Sequence, residues 1–165
     1  MGMITHDDGS QEWRVDGVLH RLDGPAVIWA GGHQDWRKNG QRHRLDGPAV
    51  IGADGLQAWY VDNHLHRVDG PAWIGADGYQ SWHVDGQRHR LDGAAVIHAN
   101  GTQEWWENGK LHRVDGPAVI WADGCQWWFI HNLDVTQQVT TWMKQRDVSW
   151  PWDQETQMEF VLTWA

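Results

Sequence analysis

The polar residues with the most regular spacing form the signature His-Arg-x-Asp-Gly, present five times as His20-Arg21-x-Asp23, His43-Arg44-x-Asp46, His66-Arg67-x-Asp69, His89-Arg90-x-Asp92 and His112-Arg113-x-Asp115. Imidazole, guanidinium and carboxylate at fixed spacing could hold a metal, grip phosphates or serve as a hydrogen-bonded ladder. The metal reading fails on distance. If each repeat contributes two strands at about 4.8 Å spacing, equivalent histidines lie roughly 10 Å apart, whereas zinc needs its ligands at about 2.0–2.1 Å. A grip on a polyanion would require the aspartates to face away from the arginines. Equal spacing favours the ladder, with each Arg paired to an Asp of its own or the next unit and with His and Asp capping backbone groups at turns. An active site gathers a few different residues in one place, whereas a ladder repeats the same residues in many.

The elements that must position these residues follow from a 23-residue period, with units starting at Asp8, Gly31, Asp54, Asp77 and Asn100 and a partial sixth at Asp123. A gapless period of this length implies units that bury their faces against neighbours. Within the first unit, Gln11 to Val15 and Ala26 to Ala30 read as short strands. Asp8-Gly9, Asp16-Gly17, Asn39-Gly40 and Asn108-Gly109 supply residues that tolerate positive φ in hairpin turns. The fold expected is mainly β: an elongated sheet or solenoid of stacked antiparallel hairpins over residues 8–131, after a lead-in over 1–7 and before a short helical C-terminal cap over 132–165. The glycines at 24, 47, 70, 93 and 116 read as backbone requirements. Trp13, Trp36, Trp59, Trp82, Trp105 and Trp128 form an expected core ladder, with a second from Ile28, Ile51, Ile74, Ile97 and Ile120 and with alanines from Ala26 and Ala30 keeping layers close.

A tryptophan, three residues, Gly, two residues and His, followed by Gly-rich and apolar residues, resembles a divergent MORN repeat. Trp105 with Asn108-Gly109-Lys110-Leu111-His112 carries the resemblance best; Arg113-Val114-Asp115-Gly116-Pro117-Ala118 departs from the Gly-x-Gly usual in that family. The resemblance covers residues 8 to about 132. It implies a row of β-hairpins acting as a scaffold or interaction surface, not an activity. Repeats of the His-Arg-x-Asp-Gly-Pro-Ala type are also similar to some in bacterial and phage proteins, which would suit an inhibitor of a host system.

If the repeated residues hold the scaffold, binding specificity belongs to the columns that differ between units. One column runs Arg14, Arg37, Tyr60, His83, Trp106, Phe129, and another Trp29, Gly52, Gly75, His98, Trp121. The candidate site is a depression with Gly52 and Gly75 as floor, His83 and His98 as polar groups, and Tyr60, Trp73, Trp106 and Trp121 around it. No catalytic residue is expected. The chain has no Gly-x-Ser-x-Gly and no glycine-rich phosphate loop opening a helix, and Cys125 reads as a variable turn residue. No metal or cofactor is expected.

The formal charge of −9 disfavours direct nucleic-acid binding. A single cysteine fits a reducing compartment, and with no signal-peptide pattern or long apolar stretch the expected location is the cytoplasm, without a membrane span. Asp134 or Thr136 opens an expected helix through Val135, Val139, Trp142 and Met143 to Arg146; Asp153 caps another through Met158, Val161, Leu162 and Trp164. Trp150 and Trp152 are expected to close the last hairpin. The seven leading residues are too few to cover the first strand edge, which predicts an interface there, with a homodimer as one form. The leading function is a nonenzymatic protein binding a protein partner through an aromatic-rich face. The alternatives are a binder that sequesters a nucleotide or other small anionic ligand, and an acidic nucleic-acid mimic.

Overall fold

The computed structural model describes residues 2–164, and the chain divides into two compact units, Met1–Gln87 and Arg88–Ala165. Both are built from antiparallel hairpins, and two helices lie in the second. In the first unit, neighbouring strands run Gly2–Thr5, Gln11–Val15, Val27–Ile28, Gln34–Asp35, Val50–Ile51, Gln57–Ala58, Trp73–Ile74 and Gln80–Ser81. In the second, Val96–Ile97, Gln103–Glu104, Val119–Ile120 and Gln126–Trp127 continue the same pattern.

Strands are two residues long in most repeats because the chain leaves the main ladder at each tryptophan. The Trp36 N–H donates to Ala49 O, and Trp36 O accepts from His43 N–H, which hands the chain over to a second hairpin, Arg37–Lys38 with Gln41–Arg42. That hairpin turns on Asn39 (φ 51°) and Gly40 (φ 81°), the paired positive angles of a type I′ turn. The first turn of each repeat instead ends on one left-handed glycine, as at Gly55 (φ 97°), and an Asx cap closes it: Asp54 Oδ1 accepts from Leu56 N–H at 3.1 Å.

The core is made of small residues. Ala26, Ala49, Ala72, Ala95 and Ala118 are fully buried beside Val27, Val50, Val96 and Val119. The isoleucine column is only half-buried and Ala30 is exposed, and all the ladder tryptophans but one are half-buried too. Small side chains win the interior because each carries its backbone into contact with the next strand. An indole there would force the strands apart.

Residues 2–5 correct the expectation of an uncovered edge. They pair with Gln11–Val15 in the register Gly2↔Arg14 to Thr5↔Gln11, so the lead-in is itself the outer strand, with Met3 and Ile4 exposed.

The cap contains α1 (Thr136–Arg146) and α2 (Gln154–Trp164). Val135, not Asp134 or Thr136, occupies the N-cap of α1 without a side-chain cap; Asp134 Oδ1 still accepts from Thr136 N–H at 2.9 Å. Asp153 Oδ1 accepts from Thr156 N–H at 2.8 Å, as expected of an N-cap, and hydrogen bonding from Thr156, its side chain first and its backbone N–H second, holds the Asp153 carboxyl below its ordinary range. Trp128, Ile130, Val135, Val139, Trp142 and Phe160 form the cap's core. Helix α2 packs Val161 and Trp164 against this core as expected from the sequence, but it buries Phe160 and leaves Met158 and Leu162 exposed. Phe160 wins because Trp152, at 4.7 Å, and Trp164, at 5.0 Å, close around its ring. Trp152 lies in this core, while Trp150 lies on the fifth repeat's loop, its Nε1 donating to Asp115 O at 3.1 Å.

Candidate functional site

Each His-Arg-x-Asp-Gly segment folds into one structural staple. Arg44 Nε donates to Asp46 Oδ1 at 2.9 Å within its own repeat, and its Nη1 donates to Pro48 O at 3.2 Å. The same two bonds recur at Arg21, Arg67, Arg90 and Arg113. The guanidinium also lies on the repeat's tryptophan, with Cζ to ring centroid 4.1 Å at Arg21–Trp13, 4.2 Å at Arg44–Trp36, 4.0 Å at Arg67–Trp59 and 4.0 Å at Arg113–Trp105. This is a cation–π contact, and it is why the indoles are half-buried without being core. The hydrogen bond from Arg holds the Asp23, Asp46, Asp69 and Asp92 carboxyls below their ordinary range.

The glycine of the signature owes its identity to this arginine. Its φ is not left-handed, but a Cβ at Gly47 would lie 2.9 Å from Arg44 Cζ and one at Gly24 2.8 Å from Arg21 Cζ. The reading of these glycines as backbone requirements therefore changes to one of close approach.

The histidine ties each repeat to the next. The backbone N–H groups of Asn39, Asp62, Asp85, Asn108 and His131 lie 3.1–3.3 Å from Nδ1 of His20, His43, His66, His89 and His112. A neutral ring with its proton on Nε2 accepts that N–H. A proton on Nδ1 makes the same nitrogen a donor to Asp62 Oδ1 at 2.8 Å or Asp85 Oδ1 at 2.9 Å. His112 is also stacked on His131 at 4.1 Å, and burial, followed by the His131 charge, lowers its pKa, against an opposing pull from Glu107.

The variable columns carry a different chemistry in each unit. In the first, Trp73 pairs with Ala58 and Ser81, whereas Tyr60 and His83 lie past Trp59 and Trp82 on the second hairpins of their repeats. His83 is buried, with Nε2 3.1 Å from Ser81 Oγ. The volume beside Gly52 is filled by the Asp54 carboxylate and Leu56 Cβ, and that beside Gly75 by Asp77 and Tyr79, so neither glycine opens a floor. A column the sequence reading passed over is Glu12, Asp35, Ala58, Ser81, Glu104, Trp127. Its Asp35 is fully buried; Oδ2 accepts from Arg37 Nη2 at 2.8 Å and Arg42 Nε at 3.2 Å, while Oδ1 has no donor. The signal for it was an acid alternating with Arg37, as Glu12 does with Arg14.

In the second unit, Glu104 organises the site. Its Oε1 lies 2.7 Å from His98 Nε2, its Oε2 accepts from Trp106 Nε1 at 2.7 Å, and Arg88 lies 3.7 Å away with Cζ 4.9 Å from the Trp106 ring. Trp121 packs edge-on against Trp127 at 5.6 Å, and Trp127 meets Phe129 at 6.4 Å. Trp121 and Trp127 remain 41% and 44% exposed. His98, Trp106 and Trp121 thus share one sheet face with Trp127 and Phe129. Among the described residues no three His, Cys, Asp or Glu gather to hold a metal ion, and no helix is long and apolar enough to cross a membrane. No family model matches the chain, and no curated protein matches it.

Proposed function

We propose that the chain is a nonenzymatic, MORN-like interaction protein of the cytoplasm that binds a protein partner through the aromatic face of its second unit. The observation that carries this reading is the exposed Trp121–Trp127 pair, backed by Phe129, beside a Trp106 whose indole is fixed by Glu104. Rigid tryptophans of this kind are typical anchors of protein interfaces, because they bury a large area for little lost side-chain entropy. The small-anion alternative is weaker because Arg14, Arg37, Arg42 and Arg88 each already face a carboxylate of the protein. A nucleotide would have to displace one. The test is affinity capture from the native host with wild-type chain and with Trp121→Ser/Trp127→Ser. Two anchors at about 2 kcal/mol each predict loss of the captured partner; a partner retained at wild-type level overturns the reading.

A further inference from the structure

The five His-Arg-x-Asp-Gly loops share one build, yet one of them is treated differently. In the fifth, the chain's own C-terminal segment is seated on the loop. Trp150 Nε1 donates to Asp115 O, its ring lies 5.6 Å from Arg113 Cζ, its edge covers Gly116, and Val114 packs against the cap core. In the first unit, the equivalent residues of the three other loops, Leu22, Leu45 and Val68, are 75%, 79% and 83% exposed. Among the described residues, no donor reaches the carbonyls of Asp23, Asp46 and Asp69, the equivalents of Asp115 O. Between the Leu22 and Leu45 loops lies a cleft of about 520 Å³, walled by Arg21, Gly24, Trp36 and Arg44. That is ample space for an indole, since whole small-ligand pockets run from about 300 Å³.

We infer that the loops of the first unit are docking seats for an extended segment of a partner protein bearing a tryptophan, held as the fifth loop holds Trp150. The recognition chemistry is on the molecule. The loop carbonyl takes the indole N–H, the guanidinium lies over the ring, and the Leu or Val of the signature covers an apolar flank. Several seats at one repeat spacing would let a segment with more than one such tryptophan bind with added avidity. Exposed apolar residues recurring at one phase of a repeat also have no role in the staple itself, whose bonds are made by Arg, Asp and His side chains and by backbone groups. These seats are distinct from the Trp121–Trp127 face, so the two readings fail independently.

The probe is an acetylated, dye-labelled peptide with the chain's own sequence Ser149-Trp-Pro-Trp-Asp153, titrated by fluorescence anisotropy into the full-length protein. Saturable binding is expected, weakened at least about tenfold by the surface triple variant Leu22→Ser/Leu45→Ser/Val68→Ser and abolished when both peptide tryptophans are alanine. A circular-dichroism melt of the triple variant, expected to match wild type, keeps folding out of the comparison. The Trp121→Ser/Trp127→Ser protein should bind the peptide as wild type does. No saturation by about 1 mM peptide, or equal binding by the triple variant, would overturn the assignment.

Discussion

Gly47→Ala tests whether the signature is a staple, because its sign depends on a neighbour. The three atoms nearest the added Cβ all belong to Arg44, at 2.9–3.2 Å. Overpacking costs about 1–3 kcal/mol, toward the low end here if the Arg44 side chain can swing aside, and about 0.4–1 kcal/mol is offset by the stiffer unfolded chain, so the net loss lies between about 0 and 2.6 kcal/mol. Arg44→Ala alone forfeits a cation–π contact at about 0.5–1 kcal/mol and a charged hydrogen bond to Pro48 O at about 1.5 kcal/mol. In the double variant the obstacle is gone and the alanine becomes stabilising by about 0.4–1 kcal/mol. Urea unfolding gives the four corners of the cycle. Hydrogen exchange at the Trp36 and His43 amides, which bond to Ala49 O and Trp36 O, localises the effect to this repeat without assuming that the array unfolds as one. An equal penalty for Gly47→Ala in both backgrounds would refute the argument and restore a backbone requirement.

His112 gives a pH dependence. Its folded pKa is depressed by burial and by His131, so the neutral ring's contribution is complete above the unfolded imidazole value of about 6.5 and is lost as pH falls through the folded value. Urea midpoints should therefore fall as the pH is lowered below about 6.5, and His112→Asn should flatten that fall; an unchanged profile counts against the stacked geometry. Asp35→Asn should cost about 1–3 kcal/mol, because it strips the charge from an acceptor shared by Arg37 and Arg42. Both arginines are partly exposed, which keeps the cost below that of a fully buried pair. Thermal melting that rises on this substitution would be the contrary result.

Much of the array was legible in the sequence because turns are local. Asn39-Gly40 and Asp85-Gly86 take the paired positive φ of a type I′ turn, as their residue types favour, and the helix over Thr136–Arg146 follows from its spacing. Equal spacing also points to the histidine cap and to an Arg–Asp pair, but not to whether that Asp belongs to the same repeat or the next. What failed was size taken as a proxy for burial. The tryptophans looked like the core, but a guanidinium covers each of four of them from outside the sheet while alanine and valine fill the interior. The lead-in strand was missed because four residues, Gly2–Thr5, carry almost no pattern of their own; only pairing to Gln11–Val15 makes them a strand. At the candidate site, His98, Trp106 and Trp121 do share a face, but Glu104, which fixes two of them, sits in a column whose acids, alanine and serine give no periodic signal.

The central claim is that repeated residues build the scaffold and varied ones bind. The most direct measurement is quantitative capture of the partner by Trp121→Ser/Trp127→Ser, with a melting curve taken on the same sample. The account predicts a partner lost from a protein that melts within a few degrees of wild type, since both indoles are already more than a third exposed. Full capture by that variant, at unchanged stability, would contradict it.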